Sequence, residues 1–117
     1  MRIMSFSQRW PKLLKDEFTT FRYPRADKDW CVGECIQVYY KNRSPQRERI
    51  CIAEIINKEI RELEPAFATP DTPLVTEEEA KEDGFESRIH MVQFMEKQYG
   101  LDYISRFNKL TLIRTLK

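Results

Sequence analysis

A threonine and an arginine two positions apart, in FTTFRY at residues 18–23, are the pair in this chain best placed to do chemistry. The segment sets Phe18, Thr20 and Arg22 against Thr19, Phe21 and Tyr23, the two-residue period of a strand, so Thr20 and Arg22 share one face. A guanidinium there grips a phosphate or a carbonyl edge through two parallel hydrogen bonds. The structural alternative is that Arg22 pairs with an acid such as Glu17 or Asp83 and ties the sheet to a helix. Trp10, Tyr23 and Trp30 lie close by in sequence, among Arg25 and Lys28. Aromatic faces beside cations are what stacking on an unpaired base requires. Against that, Trp10 also suits a core and Trp30 suits an anchor for its loop.

Other clusters carry less. Asp27 and Asp29 are two carboxylates without further oxygen ligands at defined spacing, a poor cation site. Cys31 and Cys35 form C-x-x-x-C with no second Cys or His pair, which disfavours zinc, and they read instead as small buried or edge residues. His90 is the single histidine and lies beside an apolar helical stripe, which disfavours Ser-His or Cys-His catalysis. The acids at 77–79 and 82–83 read as a solvated helix face near a favourable N-terminal dipole. No metal and no cofactor is expected.

The elements that must position these residues follow from local signals. Ile3, Met4 and Phe6 open a strand, and Ser7 is a candidate cap for a helix running to Leu14, with Pro11 tolerated only in its first turn. Residues 24–33, with Pro24 and Gly33, read as an exposed loop before a strand at 34–40. NRSPQ at 42–46 is a hairpin-like turn, and 48–60 returns antiparallel to 34–40. The proline-rich stretch 65–75 is a surface connection. Thr76-Glu77-Glu78-Glu79 is a capping box and Gly84 a stop. A second helix at 87–99 puts Ile89, Val92, Met95 and Tyr99 on one side and ends at Gly100, and 109–116 is a closing strand.

The chain has 117 residues, 41% hydrophobic and 33% charged, the material of one domain with one core. It has no run of apolar residues long enough for a membrane helix and no signal-like start, and its three cysteines cannot all pair. A reducing cytoplasm is the expected compartment. The net charge of +1 divides unevenly: 11 Lys/Arg against 6 Asp/Glu in 1–49, 3 against 11 in 50–86, and 6 against 2 in 87–117. If the basic ends converge, a neutral protein shows a positive face to phosphate.

The order of elements, with helices on one side of mixed strands, argues for an α+β fold built on a mixed sheet or small barrel. Several segments resemble the ASCH family of the PUA-like superfamily: Ile3-Met4-Ser5-Phe6, FTTFR, Gly33-Glu34, VTEEEAKEDGF at 75–85 and KLTLI at 109–113. The resemblance spans nearly the whole chain and implies a PUA-like barrel. It also implies RNA or nucleotide binding in a cleft lined by Thr20, Arg22 and Asp83, with Lys15, Arg25 and Trp30 at its rim and Tyr23 beside it. Some members look like amidohydrolases acting on acetylated cytidine, with a threonine nucleophile, a lysine three residues before it and a glutamate ending the acidic helix. These positions fall on Thr20, Glu17 and Asp83, and Lys15 is the lysine nearest the second. The expectations are therefore a binder of RNA or a nucleotide, with an amidohydrolase or a protein-interaction domain as alternatives.

Overall fold

Alternating apolar residues build five strands, and their pairing places them in one mixed sheet. The computed structural model describes residues 1–25, 27–62, 73–99 and 106–116. The elements are β1 (Arg2–Phe6), a 3-10 turn (Pro11–Leu14), β2 (Glu17–Arg22), β3 (Cys35–Tyr40), β4 (Glu48–Glu62), α1 (Glu77–Asp83), α2 (Arg88–Tyr99) and β5 (Arg106–Leu116). The strand order is β1-β3-β4-β5-β2. β1 runs parallel to β3, while β3/β4, β4/β5 and β5/β2 are antiparallel. The expected β3/β4 pairing is present, and residues 18–22, 35–40, 48–60 and 109–116 lie in a single sheet, as their alternation implies.

The sheet is not closed into a barrel, contrary to the expectation. β1 and β2 are its two edges, with no ladder between them. They nevertheless approach each other: the Phe6 and Phe18 rings, one from each edge, lie 6.5 Å apart in an edge-to-face arrangement. The sheet therefore curls strongly and leaves a seam. Register shifts at Val38/Tyr39, Ile52/Ala53 and Ile55/Asn57 give the bends that such curling needs.

Inside the curl, Met4, Phe6, Phe18, Ile36, Val38, Cys51, Ala53, Ile55, Leu110 and Leu112 form one core, closed at its ends by Leu13 and Trp30. On the other face of β2 and β5, Phe21 and Phe107 pack with Val75, Ala80, Phe85, Met91 and Met95 to form a second. Trp10 touches both cores. The two helices thus cover one side of the sheet. In α2 the inward residues are Met91 and Met95, one helical turn apart, while Ile89, expected on the buried stripe, is 70% exposed.

Local signals explain most of the boundaries. The Thr76–Glu79 capping box is formed in both directions, and Gly84 ends α1 at φ 116°. A Cβ at Gly84 would also lie 2.9 Å from Trp10, so glycine is required there twice over. The helix expected from Ser7 shrinks to a 3-10 turn because Pro11 forces Trp10 into an extended conformation, φ −60° and ψ 134°. Most of the connection expected at 65–75, and the Gly100 stop, lie outside the described residues. No helix among the described residues is long and apolar enough to cross a membrane.

The loop before β3 is fastened by Asp29. Its carboxylate accepts from Lys58 Nζ (2.8 Å), from the buried Asn108 Nδ2 (2.9 Å) and from the Trp30 N–H (2.9 Å). Partial burial alone would push this carboxyl up; the hydrogen bonds from Lys58, Asn108 and two backbone N–H groups outweigh it and hold it at about 2 against an ordinary 3.8. A folded-state value below the unfolded one stabilises the fold above the unfolded value and loses that contribution as pH falls toward the folded one. Thermal melts between pH 5 and 2 should therefore show a loss of stability setting in near 3.8 and continuing toward 2. Asp29→Asn should flatten this part of the profile, and an unchanged profile in that variant would show that the acid sensitivity lies elsewhere.

Candidate functional site

Because β1 and β2 do not pair, each leaves backbone groups along the seam that need other partners. Two cations supply them. Arg22 on β2 donates from Nη2 to the Ser5 carbonyl on β1 (2.8 Å) and from Nε to Thr20 Oγ1 (3.4 Å), with its guanidinium 4.5 Å from the Phe6 ring centre. Lys12, projecting from the 3-10 turn, donates to the Thr19 carbonyl on β2 (2.7 Å) and to Asp83 Oδ1 at the end of α1 (2.8 Å).

A cavity of about 560 Å³ opens at this seam. Its floor holds Lys12, Thr20 and Asp83, exposed by only 4%, 3% and 4%. One wall is aromatic: Trp10, Phe85 and Phe94 pack mutually with ring centres 5.1 to 5.8 Å apart. The turn between β3 and β4, Lys41 to Ser44, also lines the cavity, together with Ser5 and Arg22. Four cations, Lys12, Arg22, Lys41 and Arg43, therefore line it against one carboxylate, Asp83.

The Lys12–Asp83 pair is buried on both sides, with side-chain exposures of 4% and 6%. Burial pushes the Lys12 amine down from its ordinary value, with the Asp83 charge acting against that shift. Burial pushes the Asp83 carboxyl up, with Lys12 opposing. For each group burial works against the charged form and the partner's opposite charge works for it, so the two charges depend on each other.

The sequence-derived residues divide clearly. Thr20, Arg22 and Asp83 line the same cavity. Lys15 does not join them: it caps the 3-10 turn in an extended conformation, φ −83° and ψ 158°, and is exposed. Arg25 is exposed and pairs with Asp27 (3.2 Å). Trp30, expected at the rim, is buried in the inner core with the Arg2 guanidinium 4.4 Å from its ring centre. Tyr23 stacks at 4.7 Å on Phe107, in the helix-covered layer. Glu17, at the expected lysine position, is exposed. His90 takes no part in the cavity; its Nδ1 accepts from the Glu86 N–H. Cys31 and Cys35 are exposed and only Cys51 is buried. Among the described residues no three His, Cys, Asp or Glu side chains converge as metal ligands.

Sequence reasoning missed Lys12, Phe85, Phe94 and the turn residues Lys41 to Ser44. A signal for Lys12 existed: in W-P-K-L-L at 10–14 it is a lone lysine embedded among apolar residues. The turn at 41–44 carries two cations, but only its turn chemistry was legible.

No family model matches the chain, and neither a curated protein nor a solved structure matches it.

Removing one partner of a buried ion pair leaves the other charged and desolvated, at a cost of about 3–5 kcal/mol, whereas replacing both with apolar residues of similar volume is often neutral. Lys12→Met and Asp83→Leu should each lower unfolding free energy on that scale. The double variant should recover most of the loss in chemical denaturation. Additive losses would mean that the two side chains are not energetically coupled.

Proposed function

We propose that the chain is an ASCH-like module of the cytoplasm that binds RNA or a nucleotide in the cavity at the β1/β2 seam. The observation that carries this reading is the composition of the cavity lining, three packed aromatic rings together with four cations and one carboxylate. Aromatic faces take a base of any sequence, and an excess of cations takes phosphate. The volume of about 560 Å³ falls within the range of small-ligand sites. The basic segment at residues 1–49 supplies all four cations, Lys12, Arg22, Lys41 and Arg43, while the basic residues of 87–117 do not line the cavity. The order of elements and the three free cysteines support the ASCH relationship and the reducing compartment.

Mononucleotides and short single-stranded RNA should quench Trp10 fluorescence saturably at low salt. They should also shift the backbone amides of Thr20, Arg22 and Asp83. Affinity for RNA should fall as salt rises, because phosphate contacts release counterions. Arg22→Gln should weaken binding by about 1–3 kcal/mol if Arg22 contacts a base edge, and by less if it touches only phosphate. If no nucleotide or RNA binds at low salt, or if the shifts map away from the cavity, the protein-interaction reading replaces this one.

A second reading is favoured by one specific feature, the arrival of Lys12 at Asp83 in the cavity that Thr20 also lines. The amine expected three residues before Thr20 is absent, yet Lys12 brings one to the same cavity from the 3-10 turn. With its affinity for protons lowered by burial, it suits the base that a threonine nucleophile needs. On this reading the protein hydrolyses the amide of an acetylated cytidine. Hydrolysis followed by product release should be abolished by Thr20→Ala and by Lys12→Met, and be unaffected by Lys15→Met. Absence of product from the natural protein, folded and able to bind the nucleoside, would leave binding alone.

A further inference from the structure

Two of the four cavity cations are already committed, Lys12 to Asp83 and the Thr19 carbonyl, Arg22 to the Ser5 carbonyl and Thr20. The other two, Lys41 and Arg43, stand on the turn between β3 and β4, and three observations mark this turn as more than a connection. First, Lys41 has φ 44°, the left-handed region that a non-glycine residue occupies at a cost. The surroundings hold it there: the Lys41 N–H donates to the Phe6 carbonyl (2.9 Å), the Asn42 N–H donates to Ser5 Oγ (3.0 Å), and the Ser44 N–H and hydroxyl donate to the Lys41 carbonyl (3.0 and 3.1 Å). Second, Arg43 is exposed and makes no ion pair among the described residues, and Lys41 Nζ makes none either, having a long contact to Gln46 (3.4 Å) and lying 5.5 Å from the Tyr40 ring centre. Third, Asn42 Oδ1 is a buried acceptor with no hydrogen-bond donor, in the wall of the cavity. A buried amide oxygen without a partner is costly in an isolated protein and is satisfied by a ligand that brings a donor.

We propose that residues 41–44 form the phosphate and sugar subsite of a ribonucleotide. Lys41 and Arg43 hold the phosphate, Asn42 accepts from a ribose hydroxyl, and the base lies deeper against Trp10, Phe85 and Phe94. The proposal rests on the nucleotide reading above and goes beyond it in fixing the orientation of the ligand and the residues that select a phosphate. A phosphate of this kind comes either from a free nucleotide or from an RNA strand, and both present the same anionic oxygens to the turn.

The test compares a ribonucleoside, its monophosphate, a dinucleotide and the matching deoxynucleotide by calorimetric titration at low salt. The proteins are the natural chain and the double variant Lys41→Asn/Arg43→Gln, in which asparagine keeps the left-handed backbone acceptable. The monophosphate should bind the natural protein about tenfold more tightly than the nucleoside, the scale of one charge-assisted contact. The double variant should lose that gain while keeping its affinity for the nucleoside, and Asn42→Leu should erase the preference for ribose over deoxyribose. A gain shared by the dinucleotide identifies a strand as the source, and a gain confined to the monoester identifies a free nucleotide. Nucleoside and monophosphate binding equally well, or a gain that survives in the double variant, overturns the subsite and leaves the cavity reading intact. Failure of every ligand to bind overturns both.

Discussion

The backbone carbonyls of the two edge strands are the constraint on which the rest of this structure depends. A sheet this strongly curled has two fates: its edges pair and close a barrel, or the groups along the seam find other partners. Here the edges meet through side chains. Arg22 reaches from one edge strand to the Ser5 carbonyl of the other, and Lys12 satisfies the Thr19 carbonyl. The Phe6 and Phe18 rings seal the gap from the inside. A hydrogen bond to a charged donor is stronger than a neutral ladder bond, so a few cations hold together what a full ladder would otherwise join.

That solution brings positive charge into the interior, and charge there must be balanced. Asp83 does so for Lys12, and its position depends on a chain of local features: the capping box that starts α1, the left-handed Gly84 that ends it, and Trp10, which packs against Gly84 closely enough to exclude any side chain there. α1 is also tied to the sheet by Glu79, which accepts from Arg61 (3.1 Å) and Lys109 (2.7 Å) while completing the capping box. The short helix therefore has little freedom to slide, and the carboxylate at its end is delivered to one place. A buried ion pair contributes little net stability against a well-packed apolar substitute. The pair matters for what it places at the floor of the cavity.

Much of this was legible in the sequence, and what was not had physical causes. Period-two alternation located the strands and their faces, and Thr20 and Arg22 lie together because that period is strict. The capping box and Gly84 fixed α1, and with it Asp83. Closure of the sheet was not legible, because alternation describes which way side chains point and says nothing of whether two distant edges will pair. Lys15 is the lysine nearest position 17 along the chain, but the 3-10 turn carries Lys12 inward and the chain straightens at Lys15, so nearness in sequence is the wrong measure. The charged neighbours of Trp30 suggest a rim residue. Those same neighbours, Asp29 above all, bind the loop down onto the sheet and bury the ring.

The failure to close and the presence of the cavity have a single origin. A ladder between β1 and β2 would bring their backbones to the ordinary strand spacing of about 4.8 Å and leave no opening at the seam. Bridging the edges with an arginine side chain holds them further apart, and the space so created is lined by what held it open: the guanidinium, the lysine, its carboxylate and the turn that anchors to Phe6 and Ser5. This accounts for a strongly cationic cavity in a chain whose net charge is only +1. The balancing acids are largely in residues 50–86, and most of the acids among the described residues there lie outside the cavity, either solvated or occupied in tying helix to sheet. Fold and site are thus one arrangement, in which the groups that substitute for the missing ladder are the groups available to a ligand.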